Sequence, residues 1–555
     1  MRFLKRQQFD FKSLTKLLSL FILLTFSSRH QAQTNGFEVI KNLELMDQIY
    51  QHLEMYYVDE PQTGKLSKTG IDAMLKILDP YTVYYPESDI EDYKMMTTGQ
   101  YGGIGALIRK LDEYTYIAEP YEGNPAQKSG ICAGDKIISI DGKNMKGVAS
   151  DDVSSALKGP KGTTIVVEVE REGEGMKKIS ITRDEIKLPD VPYSGMLDKE
   201  IGYIKLNSFT QTASSDVKSA FTDLQSKGMK SLVLDLRGNG GGLLIEAVKI
   251  VNLFVKKDQV VVTTKGRVSD ENFIYKTQDQ PLDLNIPLTI LIDGGSASAS
   301  EIVAGSIQDL DRGVILGNTS FGKGLVQRTY DLKYGSKIKL TIAKYYTPSG
   351  RCVQRLEYYD KENDAKPKEV PDSLLKIFKT INGRDVIDGR GIVPDIEVEL
   401  PEMSRLTATI YANDLIFKYA TKYKSQHTDI PAANQFELSD VEYEDFKKFV
   451  LSQEFTYSTA SEEMLKKMKD AAADEGFLND AQAEYDALLA KVVPSKERDL
   501  EKFKAEIKML LENEIVSRYY YQKGRAVNSF RKDEVLDKAL EILKDSKQYN
   551  TILGQ

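Results

Sequence analysis

The spacing of apolar residues along the chain differs from one region to the next. Between residues 34 and 98 apolar side chains recur at helical intervals, as at Phe37, Ile40 and Leu43. This period predicts amphipathic helices. A second helix is predicted over 70–78, and it ends before an Asp-Pro pair because proline disfavours helix in the residue before it. Residues 34–98 are therefore predicted to form a helical N-terminal region.

Residues 99–186 change to short runs of β-branched residues bounded by turn residues. Strands are predicted at 105–108, 114–118, 136–140 and 164–169. Glycine, proline and aspartate separate these runs, as expected for tight connections. A short helix fits 150–157. The region is predicted to be a compact β-rich module with few helices.

Residues 187–400 alternate between buried-type strands and amphipathic helices. Strands are predicted at 201–206, 231–236 and 288–292, and helices at 213–227, 244–253 and 300–310. This order implies an α/β core.

Residues 401–555 are mostly helical and highly charged, with an apolar stripe along 501–517. Such stripes usually face a core, so the region is predicted to be a packed accessory domain. A partner-binding or oligomerisation surface is the alternative. The whole chain is expected to be a multidomain α+β protein.

The N-terminus has the pattern of a secretory signal. Five basic residues precede an apolar run at 17–26, and a charged segment followed by a short apolar one is typical of export. The run is shorter than the roughly 20 residues that span a bilayer. Residues 1–33 are therefore predicted to be a signal peptide of an exported, extracytoplasmic protein. An uncleaved anchor is the alternative.

The composition of the chain limits the partners and the kinds of catalysis that can be expected. The formal net charge is -8, which does not favour nucleic acid as a partner. The three histidines are His30, His52 and His427, and no His-Glu-x-x-His motif is present. No metal and no cofactor are expected. A Ser-His-Asp triad would have to use His52 or His427, far in sequence from the serines discussed next.

The first candidate for chemistry is the serine-rich stretch at 293–302, where a buried-type strand gives way to a helix. It contains Ser296, Ser298 and Ser300. A nucleophile at such a turn gains backbone N–H groups and the positive end of the helix dipole. Taken alone, the stretch fits a serine-rich helix cap equally well.

The second candidate is Lys323, which stands between Gly322 and Gly324. Glycines allow close approach of the backbone, and a lysine shielded from water loses its proton more easily. Such a lysine can activate a serine. A surface turn or a phosphate-binding loop are the alternatives, but the P-loop pattern fails because Gly324 stands where a hydroxyl residue is required.

The third candidate is the glycine-rich turn at 235–244, which follows a predicted strand and precedes a helix. Its amides could face an oxyanion or a phosphate. The dinucleotide fingerprint is not met, because Leu243 occupies the position of its last glycine.

Together the motifs Asp-Leu-Arg-Gly-Asn-Gly-Gly-Gly, Ser-Ala-Ser-Ala-Ser-Glu-Ile and Phe-Gly-Lys-Gly-Leu-Val-Gln resemble the carboxyl-terminal processing, or tail-specific, peptidases. The resemblance covers about residues 36–400 and does not extend clearly over 401–555. It implies a PDZ-like module at 99–186 and a crotonase-like ββα spiral at 187–400. The sequence departs from the family at Gly240, where proline is frequent.

The resemblance also implies roles for individual residues. It makes Ser298 the nucleophile, with Ser296 and Ser300 as structural alternatives, and Lys323 the general base. Gln327, one helical turn later, would orient the lysine, and Asp309 would have a supporting role. The implied oxyanion donors are the amides of Ala299 and of Gly241 or Gly242.

In the PDZ-like module the resemblance implies a carboxylate-binding loop at Gly103, Ile104, Gly105 and Ala106. Its amides would hold the terminal carboxylate of a peptide, and the next strand would pair with that peptide. The alternative is a module that only braces the core.

The expected function is that of an exported serine endopeptidase that cleaves proteins at or near their C-terminal tails. Its expected partners are protein or peptide substrates, and a homodimer through the helical regions is expected as well. The alternatives are a non-catalytic PDZ scaffold, an acyl-transfer enzyme of similar architecture, and a peptidase that pairs serine with His52. For the acyl-transfer enzyme the sequence offers no cofactor motif.

Overall fold

The computed structural model describes residues 36–358, 367–399 and 402–555. The predicted signal peptide at 1–33 lies outside these residues. Within the described residues, no helix combines the length and the apolar character that crossing a membrane requires.

The chain divides into two compact units, the first of which ends at Tyr84. Its described part contains the helices α1 (36–56) and α2 (Thr63–Lys76). Helix α2 begins before the predicted 70, since no proline interrupts the preceding residues. It ends where the Asp79 carboxylate accepts the N–H groups of Tyr81 and Thr82, at 2.8 Å each. Strand β1 (Val83–Tyr85) follows.

The second unit starts with helix α3 (Ile90–Thr98) and the β-rich module. The module contains strands β2 (Gln100–Gly103), β3 (Ala106–Leu111), β4 (Tyr114–Pro120), β5 (Lys136–Ile140), β6 (Lys143–Asn144), β7 (Thr164–Arg171), β8 (Gly175–Thr182) and β9 (Asp184–Lys187), with helices α4 (Pro125–Lys128) and α5 (Ser150–Leu157). Strands β3, β4, β5, β7 and β8 form an antiparallel sheet in that order, with β3 at its edge. Helix α5 buries Val153 and Leu157 in the core of this sheet.

The α/β core follows. Its strands are β10 (Tyr193–Met196), β11 (Ile201–Lys205), β12 (Ser231–Asp235), β13 (Val260–Gly266), β14 (Ile274–Lys276), β15 (Leu288–Ile292), β16 (Val314–Gly317), β17 (Leu325–Asp331), β18 (Lys337–Tyr346), β19 (Leu356–Glu357), β20 (Lys368–Glu369), β21 (Ile377–Lys379), β22 (Asp385–Ile387) and β23 (Ile396–Glu397). Its helices are α6 (Ala213–Ser226), α7 (Leu244–Asn252) and α8 (Ala299–Asp309). The predicted alternation of strands and helices is confirmed.

The central sheet has the order β10-β11-β12-β15-β16-β23, and all its pairs are parallel except β10 with β11. Strands β12, β15 and β16 are buried along their whole length. Continuous apolar runs are expected in a parallel sheet that is covered on both faces. The loops at the carboxyl ends of these strands carry the candidate site.

A second sheet pairs β18 antiparallel with both β17 and β13, and β13 with β14. Gln327 therefore lies on a strand, and its description as one helical turn beyond Lys323 is wrong. Residues 325–331 pair with 337–344 along a long hairpin, and this pairing fixes them as extended.

The C-terminal part is helical, as predicted. It contains α9 (Arg405–Ala412), α10 (Leu415–Gln426), α11 (Asp440–Leu451), α12 (Ala460–Asp474), α13 (Leu478–Val492), α14 (Lys496–Lys502), α15 (Lys504–Ser529), α16 (Glu534–Lys544) and α17 (Ser546–Ile552). Helices α9, α10, α11, α14 and α15 share a core of their own. Helices α16 and α17 instead bury apolar residues against the central sheet, so this region completes the second face of that sheet.

Candidate active site

Ser298 lies where the chain leaves β15 and enters α8. Its backbone has φ 57° and ψ -109°, a conformation that residues other than glycine rarely adopt. Holding one residue in such a region costs about 1–3 kcal/mol, and this kind of strain concentrates at functional sites. The side chain is partly exposed. Ser298 is thus presented at a strained turn at the N-terminus of a helix.

The two neighbouring serines have different surroundings. Both are fully buried. The hydroxyl of Ser296 donates to the carbonyl of Leu236 at 2.9 Å, and that of Ser300 donates to the carbonyl of Asn239 at 2.9 Å. These two serines tie the turn to the glycine-rich segment, which favours Ser298 as the reactive one.

A buried carboxylate joins the segments of the two candidate residues. Glu301 Oε2 accepts the N–H of Ser298 at 2.8 Å and the N–H of Lys323 at 2.9 Å. Its Oε1 accepts the N–H of Gly322 at 2.7 Å and the hydroxyl of Ser320 at 2.6 Å. The structure therefore brings the backbones of Ser298 and Lys323 to one shared acceptor atom.

Two opposing effects act on the pKa of Glu301. Burial raises the pKa, while hydrogen bonds from Ser320 and from the backbone N–H groups lower it, and the net effect is a raised pKa. Sequence reasoning gave Glu301 no role. The signal was present, since Ser-x-x-Glu at a helix start is the capping-box pattern.

The carbonyl of Ser298 is held as firmly as its N–H group. It accepts the Tyr345 hydroxyl at 3.1 Å and the N–H of Ile302 at 2.9 Å. Tyr345 is almost completely buried, and burial raises its pKa well above 10.0. Because its hydroxyl stays protonated, Tyr345 remains a donor, and the strained peptide groups of Ser298 are fixed on both sides.

The glycine-rich turn approaches the serine very closely at Gly241. A Cβ built on Gly241 would lie 2.9 Å from the nitrogen of Ala299 and 2.9 Å from Cβ of Ser298. Its φ of +99° is also unsuited to a side chain. The structure thus places the predicted oxyanion residues Gly241 and Ala299 beside Ser298.

The amides of the turn are not equivalent. The N–H of Gly241 donates to Asn239 Oδ1 at 2.9 Å. A parallel bridge to Phe209 uses the carbonyl of Gly241 and the N–H of Leu243. Since peptide groups alternate in direction along an extended segment, the N–H of Gly242 points away from Phe209. Of the two predicted glycines, Gly242 is the better oxyanion candidate.

Lys323 lies where the backbone is tightly packed, as the flanking glycines predict. A Cβ on Gly322 would lie 2.5 Å from Cβ of Arg355. The N–H of Gly324 donates to Gln354 Oε1 at 2.7 Å. The lysine itself is partly exposed. Its main chain is thus fixed between two buried acceptors, Glu301 and Gln354.

Gln327 and Asp309 are placed differently. The amide of Gln327 donates to Oγ1 of Thr341 on β18 at 3.2 Å, and an orienting effect on Lys323 stays a prediction.

Asp309 lies at the opposite end of α8 from Ser298, roughly 16 Å away at the helical rise per residue. It forms an ion pair with Arg351 at 2.8 Å and accepts the N–H of Ser349 at 3.0 Å. A supporting role of Asp309 in the site stays a prediction.

The predicted carboxylate-binding loop connects β2 to the edge strand β3. Gly103 ends β2, Ala106 begins β3, and Ile104 is buried in the module core. Gly105 has φ +74° and accepts the N–H of Tyr121 at 2.9 Å. The loop therefore lies directly before a strand that, within the described part of the chain, pairs only with β4.

Sequence profiles of known families match three parts of the chain. Peptidase family S41 matches residues 200–358, the PDZ domain matches 94–170, and the family described as "Probable PDZ-protease, C-terminal helical domain" matches 406–543.

Curated relatives agree with these matches. A carboxy-terminal-processing protease of Bartonella bacilliformis is 38% identical over 319 residues, which cover 57% of this chain and 73% of the relative. A "Probable CtpA-like serine protease" of Staphylococcus aureus is 32% identical over 390 residues, 70% of each chain.

Two solved structures are also similar in sequence. The photosystem II D1 C-terminal processing protease is 27% identical, with a TM-score of 0.34, and covers 63% of this chain and 91% of its own. The PDZ domain of a Vibrio cholerae carboxy-terminal protease, solved in complex with a peptide, is 36% identical with a TM-score of 0.15. The comparison covers 16% of this chain and 99% of that domain.

The strained serine turn and the glycine-rich turn, together with the family profiles and the curated relatives, define a serine peptidase of family S41. Within that class, the chain belongs to the carboxyl-terminal processing proteases.

Proposed function

We propose that the protein is an exported endopeptidase in which Ser298 is the nucleophile and Lys323 the general base. The observation that carries the proposal is the single oxygen of Glu301 that accepts the N–H groups of both residues. The strained backbone of Ser298 supports it, because the fold stabilises a costly conformation at this position.

In the proposed reaction, neutral Lys323 accepts the proton of the Ser298 hydroxyl as the oxygen attacks a peptide carbonyl. The amides of Ala299 and Gly242 stabilise the oxyanion, at the positive end of helix α8. Lys323 then donates this proton to the amine of the peptide bond as the C–N bond breaks. The acyl group of the substrate remains bound to Ser298 as an ester. Water, deprotonated by the same lysine, hydrolyses the ester and restores the enzyme.

The substrate is proposed to be a protein with an accessible C-terminal tail. Its terminal carboxylate would bind the loop at 103–106, and the residues before it would pair with the outer edge of β3 beside α5. The presence of a PDZ domain and its likeness to a domain solved with a peptide support the hypothesis that this module binds peptide tails. The module would thereby select substrates or gate their entry to Ser298.

The test compares cleavage of an unfolded protein with a free tail by the wild type, Ser298→Ala and Lys323→Ala. Mass spectrometry of the products reports the cleavage sites. Both variants are expected to lose cleavage while keeping the wild-type melting temperature. Unchanged cleavage in either one contradicts the proposed dyad. Inactive wild type that still binds tail peptides would instead indicate a non-catalytic scaffold.

Export and self-association complete the proposal. The signal pattern at 1–33 supports export, and cell fractionation of the full chain tests it.

Helix α1 exposes apolar side chains at helical spacing, including Phe37, Ile40 and Leu43, and these support a homodimer through the helical regions. Sedimentation of Ile40→Lys and Leu43→Lys variants is expected to show monomer, whereas unchanged association contradicts this interface.

A further inference from the structure

The entry to the glycine-rich turn is bound to the C-terminal helical region by an ion pair. Arg237 precedes the first glycine of the turn, and its guanidinium donates to both oxygens of Asp533. Nη1 lies 2.9 Å from Oδ1 and Nη2 lies 2.6 Å from Oδ2. The side chains are 20% and 13% exposed. A bidentate pair of this kind fixes direction as well as distance.

Arg237 is also fixed on the core side. Its N–H donates to Asp235 Oδ1 at 2.8 Å, and its carbonyl accepts the ammonium of Lys205 at 2.6 Å. Its guanidinium also contacts the Asp235 carboxylate, with Nη2 at 2.6 Å from Oδ2. The side chain of Arg237 therefore connects β12, where the turn begins, to the C-terminal region.

Asp533 is held rigidly in turn. Its Oδ1 accepts the N–H of Leu536 at 3.0 Å and so caps helix α16. Helix α16 buries Leu536 and Ala539 on the central sheet, and Phe530, just before it, packs edge-on against Tyr203 with ring centroids 4.7 Å apart. Asp533 is thus held in place relative to the central sheet by the packing of α16.

The segment that begins at Arg237 is hydrogen-bonded to the turn that carries Ser298. The next glycine, Gly238, donates its N–H to Asp293 Oδ1 at 2.8 Å. The carbonyl of Asn239 accepts the N–H of Ala297 at 3.0 Å and the hydroxyl of Ser300 at 2.9 Å. These bonds lie on either side of Ser298, so a displacement at Arg237 changes the relation between the oxyanion amides and the nucleophile.

We infer that Asp533 is a positioning residue of the peptidase reaction. Through Arg237 it holds the glycine-rich turn at the distance from Ser298 that the oxyanion requires. The inference rests on the proposed function of Ser298. It also makes the end of the helical region part of the catalytic core, although this end lies far beyond the residues that match the peptidase family.

The test variant is Asp533→Asn. Asparagine caps a helix about as well as aspartate, but it removes the charge that binds Arg237. The expected result is a fall in kcat of about tenfold, less than the 10²–10³ that follows loss of a whole oxyanion donor. The rate of labelling of Ser298 by a fluorophosphonate falls in parallel, while KM and the melting temperature change little. Asp533→Glu, which keeps the charge, is expected to recover most of the activity.

Asp311→Asn is the matched control. Asp311 is buried, forms an ion pair with Arg384 through Nε and accepts the backbone N–H of Asn382. It therefore has the same kinds of partner as Asp533, but it lies beyond the far end of α8. Because the side chain of Asp311 is 2% exposed and that of Asp533 is 13% exposed, the control is expected to lower the melting temperature more than Asp533→Asn does, and to leave kcat and labelling at wild-type values. Equal effects of the two variants on kcat overturn the inference.

A double-mutant cycle keeps the test decisive if Asp533→Asn destabilises the protein. When the two residues act through one contact, Arg237→Gln and the double variant have the same kcat per folded molecule. Additive losses overturn the inference. Failure of the wild type to be labelled at Ser298 refutes the proposed function instead, so the two failures are distinguishable.

Discussion

Replacing Glu301 by glutamine keeps the shape of the side chain but exchanges one acceptor oxygen for a donor. Oε1 accepts from Ser320 and Gly322, and Oε2 accepts from Ser298 and Lys323. Whichever oxygen becomes the NH2 group, two donors of the protein then face another donor. The substitution therefore strains the contact that joins the nucleophile to the segment of the base.

The magnitude follows from the cost of a buried group left without a partner, about 1–3 kcal/mol each. The amide can turn its oxygen toward Ser298 and Lys323, and the Ser320 hydroxyl can rotate to accept, so the lower end, about 1 kcal/mol, applies to each of the two donors that lose their acceptor, Ser320 and Gly322. A cost of about 2 kcal/mol corresponds to about 30-fold in rate if all of it is added to the activation free energy. We expect kcat to fall by about tenfold to 30-fold, with a smaller change in KM.

The assay is steady-state hydrolysis of a tail-bearing peptide, with the melting temperature as a check of folding. Glu512→Gln is a suitable control, because Glu512 is also buried and accepts a backbone N–H, from Leu438 at 3.0 Å. The control should be less stable but fully active when folded. Wild-type kcat in folded Glu301→Gln refutes the assigned role of the carboxylate.

Three further predictions concern groups around the same site. Tyr345→Phe removes the hydrogen bond to Ser298, which is worth about 1 kcal/mol, and should lower kcat about fivefold; unchanged kinetics would show that the bond is dispensable. Gly241→Ala places a methyl group 2.7 Å from a backbone oxygen and should abolish activity, whereas Gly240→Ala, with open space at that position, should stay active. Burial is the largest single effect on Asp235 and disfavours its charge, but the charges of Arg237 and Lys205 and the hydrogen bonds from Arg237 and Tyr203 together outweigh it and lower the pKa from 3.8 to about 2. The resulting stability, about 2 kcal/mol, is present above pH 4 and lost as pH falls toward 2, so the urea midpoints of wild type and Asp235→Asn should converge over that interval.

Local patterns predicted the elements that carry the site. The strand at 288–292 and the helix at 150–157 have the predicted bounds, and the helix predicted at 300–310 spans Ala299–Asp309. Apolar period and turn residues are sufficient there, because they reflect burial of one face or of both. The same patterns could not choose among three serines in one turn, since that choice depends on contacts with other segments.

Long-range contacts account for what sequence reasoning missed. Glu301 acts on residues that are distant in sequence but adjacent in space, and a capping pattern names only its local partner. The apolar stripe of α16 indicates that one face is buried, yet nothing in it reveals that the central sheet is the surface it covers. Gln327 was misplaced because its conformation depends on pairing with β18.

The most direct test of the central claim is the site and rate of labelling by a fluorophosphonate. Mass spectrometry of the peptide that contains Ser296, Ser298 and Ser300 locates the adduct. The proposed mechanism predicts an adduct on Ser298 alone in the wild type, and a loss of labelling in folded Lys323→Ala. An adduct on another residue, or labelling of Lys323→Ala at the wild-type rate, contradicts a Ser298–Lys323 dyad.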